Sequence, residues 1–242
     1  MTGLTNSARR YNCLVNDHEQ PYVSLHDLEL LAQLFLHYNA QAIFGLHLVH
    51  GHFRIPSDTV MLGSMFTGHS SGYWTKPIPY DKIHAKDVHG HIYTISAEND
   101  LLAYEYREGT APDNIAKIDA AFFHEFTKYL GSNKLGGVLG LEVLEDRLSS
   151  QSQMLEFVLA DQGTVMLKKE DATNAHIYRV TGWSFARSAD GTVSIKGNET
   201  HASRPGEDHK LFTDGKLLES IDAVMSLLLK NGVIKNQWNL AL

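Results

Sequence analysis

Cysteine is nearly absent: Cys13 is the one thiol in 242 residues. A lone cysteine excludes an internal disulfide framework and fits a reducing, cytoplasmic setting. Long apolar runs are missing too. No stretch approaches the roughly 18 residues a membrane helix needs. Residues 1–20 form a polar arm carrying Arg9 and Arg10, without the apolar segment of a secretion signal. Positive charge is in deficit, with 21 Lys and Arg against 28 Asp and Glu and a net charge of −7. Such a chain gains little from displacing phosphate counterions, so nucleic acid is disfavoured as a partner. Neither a Walker loop nor Gly-x-Gly-x-x-Gly occurs, so no nucleotide cofactor is indicated.

What is present reads as a globular domain. Hydrophobic residues make up 43% and charged residues 20%, which excludes disorder as the default. No Pro/Gly/Ser-rich linker divides the chain, so residues 21–242 are read as one domain behind the 1–20 arm. Three helices are expected. Ser24 caps one with Leu28, Leu31, Leu34, Phe35 and Tyr38 on a single stripe. Pro112-Asp113 starts another, with Ile115, Ile118, Phe122, Phe126 and Tyr129 on one face and Gly131 as its stop. The third covers 215–230, with Leu217, Leu218, Ile221, Val224, Met225, Leu228 and Leu229.

Strands are expected over 42–53, 59–66, 90–96, 101–106, 135–144, 154–160, 164–168, 176–186 and 193–196. The turns between successive strands are too short for parallel crossovers. The fold class expected is therefore α+β, a mostly antiparallel sheet with about three helices packed on it. A weak internal duplication is visible near 24–66 and 113–168. Each segment reads as a helix followed by a strand, with Gly45-Leu46-His47-Leu48 in one and Gly140-Leu141-Glu142-Val143 in the other.

Histidine is abundant, 14 residues, and two His-Gly-His tripeptides occur, His50-Gly51-His52 and His89-Gly90-His91. At this frequency roughly 0.06 such tripeptides are expected by chance. Alternation along a strand puts Phe44, Leu46, Leu48, His50 and His52 on one face, and His89, His91, Tyr93 and Ile95 on another. If the two strands lie antiparallel, four imidazoles meet at the rim of an apolar face. His50, His52, His89 and His91 are thus candidate ligands for Zn, Fe or Cu, or candidate acid/base groups. The bland alternative is histidines that only hydrogen-bond to loops at a solvated rim.

Glu142 and Glu156 lie within apolar strands, where a carboxylate is costly unless paired. They are candidate bases or auxiliary ligands, or else point to solvent. A long loop from Thr67 to about Lys86 carries Tyr73 and Trp74, which with Tyr93 are candidate substrate-binding residues. Gly68-His69-Ser70-Ser71-Gly72 matches the nucleophile elbow of serine hydrolases, but Pro77 and Pro79 forbid the helix that must follow. Residues 201–209 read as a solvated polar loop.

Two resemblances bear on these motifs. His-x-His on a strand is similar to cupins, yet no acidic residue follows His52 at the spacing that family uses. Leu48-Val49-His50-Gly51-His52-Phe53 resembles a Leu-Leu-His-Arg-His-Phe stretch in uncharacterised proteins of filamentous fungi, with Gly51 replacing the basic residue. The second implies a fungal source and no activity.

The expectation is a cytoplasmic enzyme acting on an organic small molecule in a histidine-lined pocket. It is either metal-dependent or uses histidine as acid and base. The alternative is a non-catalytic ligand-binding or homodimerising domain, and a third reading is a serine hydrolase at Ser70.

Overall fold

The structure, a computed structural model, describes residues 4–68, 70–144, 153–173, 175–188, 190–203, 210–211, 213 and 215–234. Its helices are α1 (Ser7–Tyr11), α2 (Leu25–His37), α3 (Ala120–Ser132) and α4 (Ile221–Lys230). Its strands are β1 (Phe44–Leu48), β2 (Thr59–Phe66), β3 (Gly72–Pro79), β4 (Val88–Ile95), β5 (Leu101–Glu108), β6 (Leu139–Val143), β7 (Met154–Val158), β8 (Thr164–Lys168), β9 (His176–Arg187) and β10 (Val193–Ser203). They close into a barrel in the order β1-β6-β4-β5-β2-β3-β8-β7-β10-β9, with β9 pairing back to β1.

This corrects the α+β, antiparallel-sheet expectation. The barrel is mixed, because β2 runs parallel to β5 and β7 runs parallel to β10. Turn length constrains only strands that follow one another in the chain. β2 and β5 are separated by two further strands, as are β7 and β10, so each pair is free to run parallel.

The pairing repeats. Strands β1 to β5 and β6 to β10 occupy equivalent places, and every strand pairing of one half has a counterpart in the other. Leu46 pairs with Leu141 across the β1–β6 junction, which sets His47 and Glu142 at equivalent positions. The parallel junctions match in the same way. Met61, Leu62 and Gly63 face Glu105, Tyr106 and Arg107, while Met154, Leu155 and Glu156 face Glu199, Thr200 and His201. The segments 24–66 and 113–168 contain α2-β1-β2 and α3-β6-β7-β8, at corresponding places in the two halves.

The apolar side of the strands faces outward, under helices. Ser24 caps α2 by accepting from Asp27 N, and Leu28, Leu31, Ala32 and Phe35 pack with Phe122, Phe126 and Leu130 of α3 over Phe44, Leu46, Leu141 and Phe185. Each such buried Phe or Leu contributes about 1.5–3 kcal/mol. Val224, Leu227 and Leu228 of α4 cover Trp74, Leu155, Phe157, Val165 and Leu167. Ala8 and Tyr11 of α1 cover Met61, Ile92 and Tyr104.

Two helices start later than the periodicity predicts. Asp119 rather than Asp113 caps α3, and Ser220 caps α4, leaving Leu217 72% exposed. Competing side-chain caps decide the start, and the apolar residues upstream pack as turns.

With most apolar residues turned outward, the alternating residues face the lumen, where an apolar patch of Tyr73, Met154 and Met166 lies beside polar and charged side chains. Strand alternation thus sends His47, Glu142, Glu156, Glu199 and His201 inward, and that inversion positions the site.

Candidate metal centre

Strand β1 ends at Leu48, so the alternation expected through His52 stops there. The chain turns, and His50 swings to the same side as His47; their rings stack with centroids 5.2 Å apart. His52 follows, with its ring 4.8 Å from that of His50 and 4.9 Å from that of His201. Glu156 arrives from β7 and His201 from β10, opposite one another in parallel register.

Four donor atoms meet here. His201 Nε2 lies 3.0 Å from His50 Nε2 and 2.8 Å from Glu156 Oε2. Glu156 Oε1 is 3.4 Å from His52 Nε2, and Oε2 is 3.7 Å from His50 Nε2. All four residues are buried, and one ligand atom of each falls within 4.8 Å of the others. Metal–nitrogen bonds of about 2.0–2.1 Å place tetrahedral donors about 3.4 Å apart, so these spacings suit one ion at the centre.

The outer contacts fix the tautomers. His50 Nδ1–H donates to Leu48 O at 2.5 Å, and His201 Nδ1–H donates to Asp17 Oδ2 at 2.9 Å. Both Nε2 atoms therefore turn toward the centre, in the carboxylate–histidine arrangement that supports metal ligands. Asp17 comes from the N-terminal arm, where a 3₁₀ turn at Asp17–Glu19 buries it completely. Arg179 holds that turn by donating to the carbonyls of Asp17, Gln20 and Pro21.

Electrostatics divide the cluster. Burial drives the His50 pKa down to about 3, and burial also lowers that of His52. Burial opposes charge on His201 as well, but the Asp17 and Glu156 carboxylates overcome it and raise its pKa to about 9. Desolvation would raise Glu156, yet the facing His52 and His201 hold it well below the usual carboxylate range. One proton on His201 Nε2, shared with Glu156 and His50, occupies the place a cation would take.

The remaining candidates fall in several places. Glu142 sits in the lumen in a neighbouring group with His47 and Glu199, whose ligand atoms also lie within 4.8 Å of one another. His91 is buried and meets Arg107 Nη2 through Nε2 at 3.1 Å, while Arg107 Nη1 donates to Thr75 Oγ1 at 2.8 Å. His89 lies apart, with Nδ1 3.1 Å from Gly109 O at the surface. The two His-Gly-His tripeptides therefore do not form one tetrad. Tyr73 lies under the Arg107 guanidinium, 4.1 Å from its ring centroid. Trp74 packs outside beneath α4, and Tyr93 packs against the α2–α3 cluster, its hydroxyl donating to Gly90 O.

Ser70 lies between β2 and β3, and a strand rather than a helix follows. His69, Glu145 and residues 204–209 lie outside the described residues. Asp17 and His201 were not anticipated. For His201 the alternation along the strand misleads: Val193 and Ile195 pack outside against the α2–α3 cluster, and the register shifts after Gly197 bring Glu199 and His201 inward. No local pattern marks Asp17.

Glu105 on β5 keeps partial exposure, although its carboxyl lies among interior charges. Desolvation, then the Glu156 charge, push it up to about 8 against the pull of Arg107.

No protein-family model, curated protein or solved structure matches this chain. Among the described residues no helix is long and apolar enough to cross a membrane.

Proposed function

We propose that the chain is a metal-dependent enzyme acting on an organic small molecule admitted to the barrel lumen. A transition-metal ion would be held by His50, His52, Glu156 and His201. The convergence of the three Nε2 atoms and the Glu156 carboxylate, with Asp17 behind His201, carries this reading. Imidazole-rich sets suit Zn, Fe and Cu. On a six-coordinate ion four protein ligands leave two positions open, and an ion so held supplies Lewis-acid or redox chemistry.

The chain's own part is definable. His50 and His52 present neutral imidazoles, Glu156 balances charge, and Asp17 orients His201. Glu105, protonated near neutral pH, is a proton donor inside the barrel.

A second reading rests on burial. His50, His52, Glu156 and His201 are 4%, 6%, 6% and 0% exposed. Four ligands complete a tetrahedral zinc shell, which would make the centre structural.

Metal analysis of tag-free protein tests both. The expected result is one equivalent of Zn, Fe or Cu, lost in His52→Ala and Glu156→Gln. Absence of bound metal after reconstitution with each ion ends both readings. With Co²⁺ at the site, an absorption change on adding azide supports the enzyme, and an unchanged spectrum supports the structural zinc.

A further inference from the structure

We propose that His47, Glu142 and Glu199, assisted by Asn198, form a second cation site beside the first, so that the lumen holds two divalent ions. The proposal rests on the metal reading of the first centre and adds a second ion of different preference.

The geometry is built from three strands. His47 on β1 faces Gly182 on β9, and Glu142 on β6 faces Gly45 on β1. Those glycines clear the space. A Cβ at Gly182 would sit 2.9 Å from Glu199 Cβ and 3.1 Å from Asn198 Oδ1, and one at Gly45 would sit 3.4 Å from Glu142 Oε2. His47 Nδ1 is 3.2 Å from Glu199 Oε2. On β10 the register shifts between Gly197 and Glu199, and this bulge turns Asn198 and Glu199 to the same side.

The group is dry and poorly satisfied. His47, Glu142, Asn198 and Glu199 are all buried. Glu199 and Asn198 lie close to the Glu142 carboxyl. Outside this group Glu142 Oε2, Glu199 Oε2, His47 Nδ1 and both Asn198 amide atoms have no hydrogen-bond partner among the described residues. Buried polar atoms without further partners are costly, and two facing carboxylates add repulsion. A cation among them answers both costs.

The donors indicate which cation. One imidazole, two carboxylates and an amide oxygen favour a harder ion than three imidazoles do, in the class of Mn²⁺. The two centres are neighbours without a shared ligand. Glu199 and His201 stand two residues apart on β10, and the stacked His47 and His50 rings form the wall between them.

The test loads metal-free protein with Zn²⁺ to one equivalent and then titrates Mn²⁺, following calorimetry and Mn²⁺ electron paramagnetic resonance. One further equivalent of Mn²⁺ is expected, lost in Glu142→Gln/Glu199→Gln with the zinc retained. Glu142→Gln alone should weaken Mn²⁺ binding at least tenfold with an unchanged circular dichroism spectrum. If the folded wild type takes zinc only, and His52→Ala releases it, the second site does not exist and the first stands. If neither ion binds, both fall. Mn²⁺ uptake that survives the double substitution also overturns the assignment.

Discussion

The two halves of the barrel solve the same position differently. Where β7 meets β10, Glu156 faces His201; where β2 meets β5, Gly63 faces Arg107. In the first case a carboxylate and an imidazole leave lone pairs aimed at a common point. In the second a guanidinium fills the space itself. A Cβ on Gly63 would fall 1.8 Å from Arg107 Nη1, so the glycine exists to admit the arginine. Arg107 then meets the Thr75 hydroxyl, the His91 ring and the face of Tyr73, and its charge acts on the Glu105 and Glu142 carboxyls. A topology that repeats strand for strand thus carries a donor set in one half and a fixed positive charge in the other. Repeated backbones do not dictate repeated chemistry.

Substitutions can break this contrast. His201→Ala should have the largest effect, because it removes the imidazole that lies between the buried Asp17 and Glu156 carboxylates. A loss of about 3–5 kcal/mol is expected in urea unfolding, together with loss of bound metal. Arg107→Ala should cost less and leave the metal in place. Equal metal loss from the two variants would erase the distinction between the halves.

The next effect is a pH dependence of the metal-free protein. His201, raised to about 9, binds a proton in the native state that the unfolded chain has released above pH 6.5. Glu105, raised to about 8, acts in the same direction above its unfolded value. The native state therefore holds more protons, and stability falls as pH rises. His201 supplies stability that is complete below pH 6.5 and lost by about pH 9. The unfolding free energy from urea titrations should drop across that window, by roughly 3–5 kcal/mol. A rise or a flat profile would contradict the imidazolium between Asp17 and Glu156.

Gly63→Ala should follow, at about 1–3 kcal/mol from overpacking, with the metal centre intact. A calorimetric melt reads the cost, and a neutral result would mean Arg107 is free to leave. The smallest effect belongs to His89→Ala, within about 0.5 kcal/mol and without change in metal content. Loss of metal in that variant would return His89 to the centre.

Three of the four residues of the centre were legible in the sequence. His50 and His52 announced themselves by spacing, and Glu156 by being a carboxylate inside an apolar strand. The rest depended on chain segments that meet only in the closed barrel. His201 sits on a strand whose sequence turns polar after Ile195, because its inward positions face a polar lumen rather than an oily core. The usual equation of buried with apolar therefore hid it. β3 was hidden by Pro77 and Pro79, which read as loop. In the fold they lie beyond Thr75, the last residue of β3 to pair with β8, so their missing N–H groups cost no ladder bond there. The expected sheet became a barrel because β9 pairs with β1 across well over a hundred residues of chain. No window of local pattern carries that information.

Asp17 enters the barrel on a tether. The residue that orients His201 belongs to a short arm clasped from outside by Arg179, which grips three of its carbonyls. Prying the arm loose, by trimming the chain ahead of Pro21 or by crowding it with a bulky amino-terminal fusion, would swivel a ligand ring contributed by the opposite end of the sequence. Preparations that differ only in their leader could then differ in how much ion they carry.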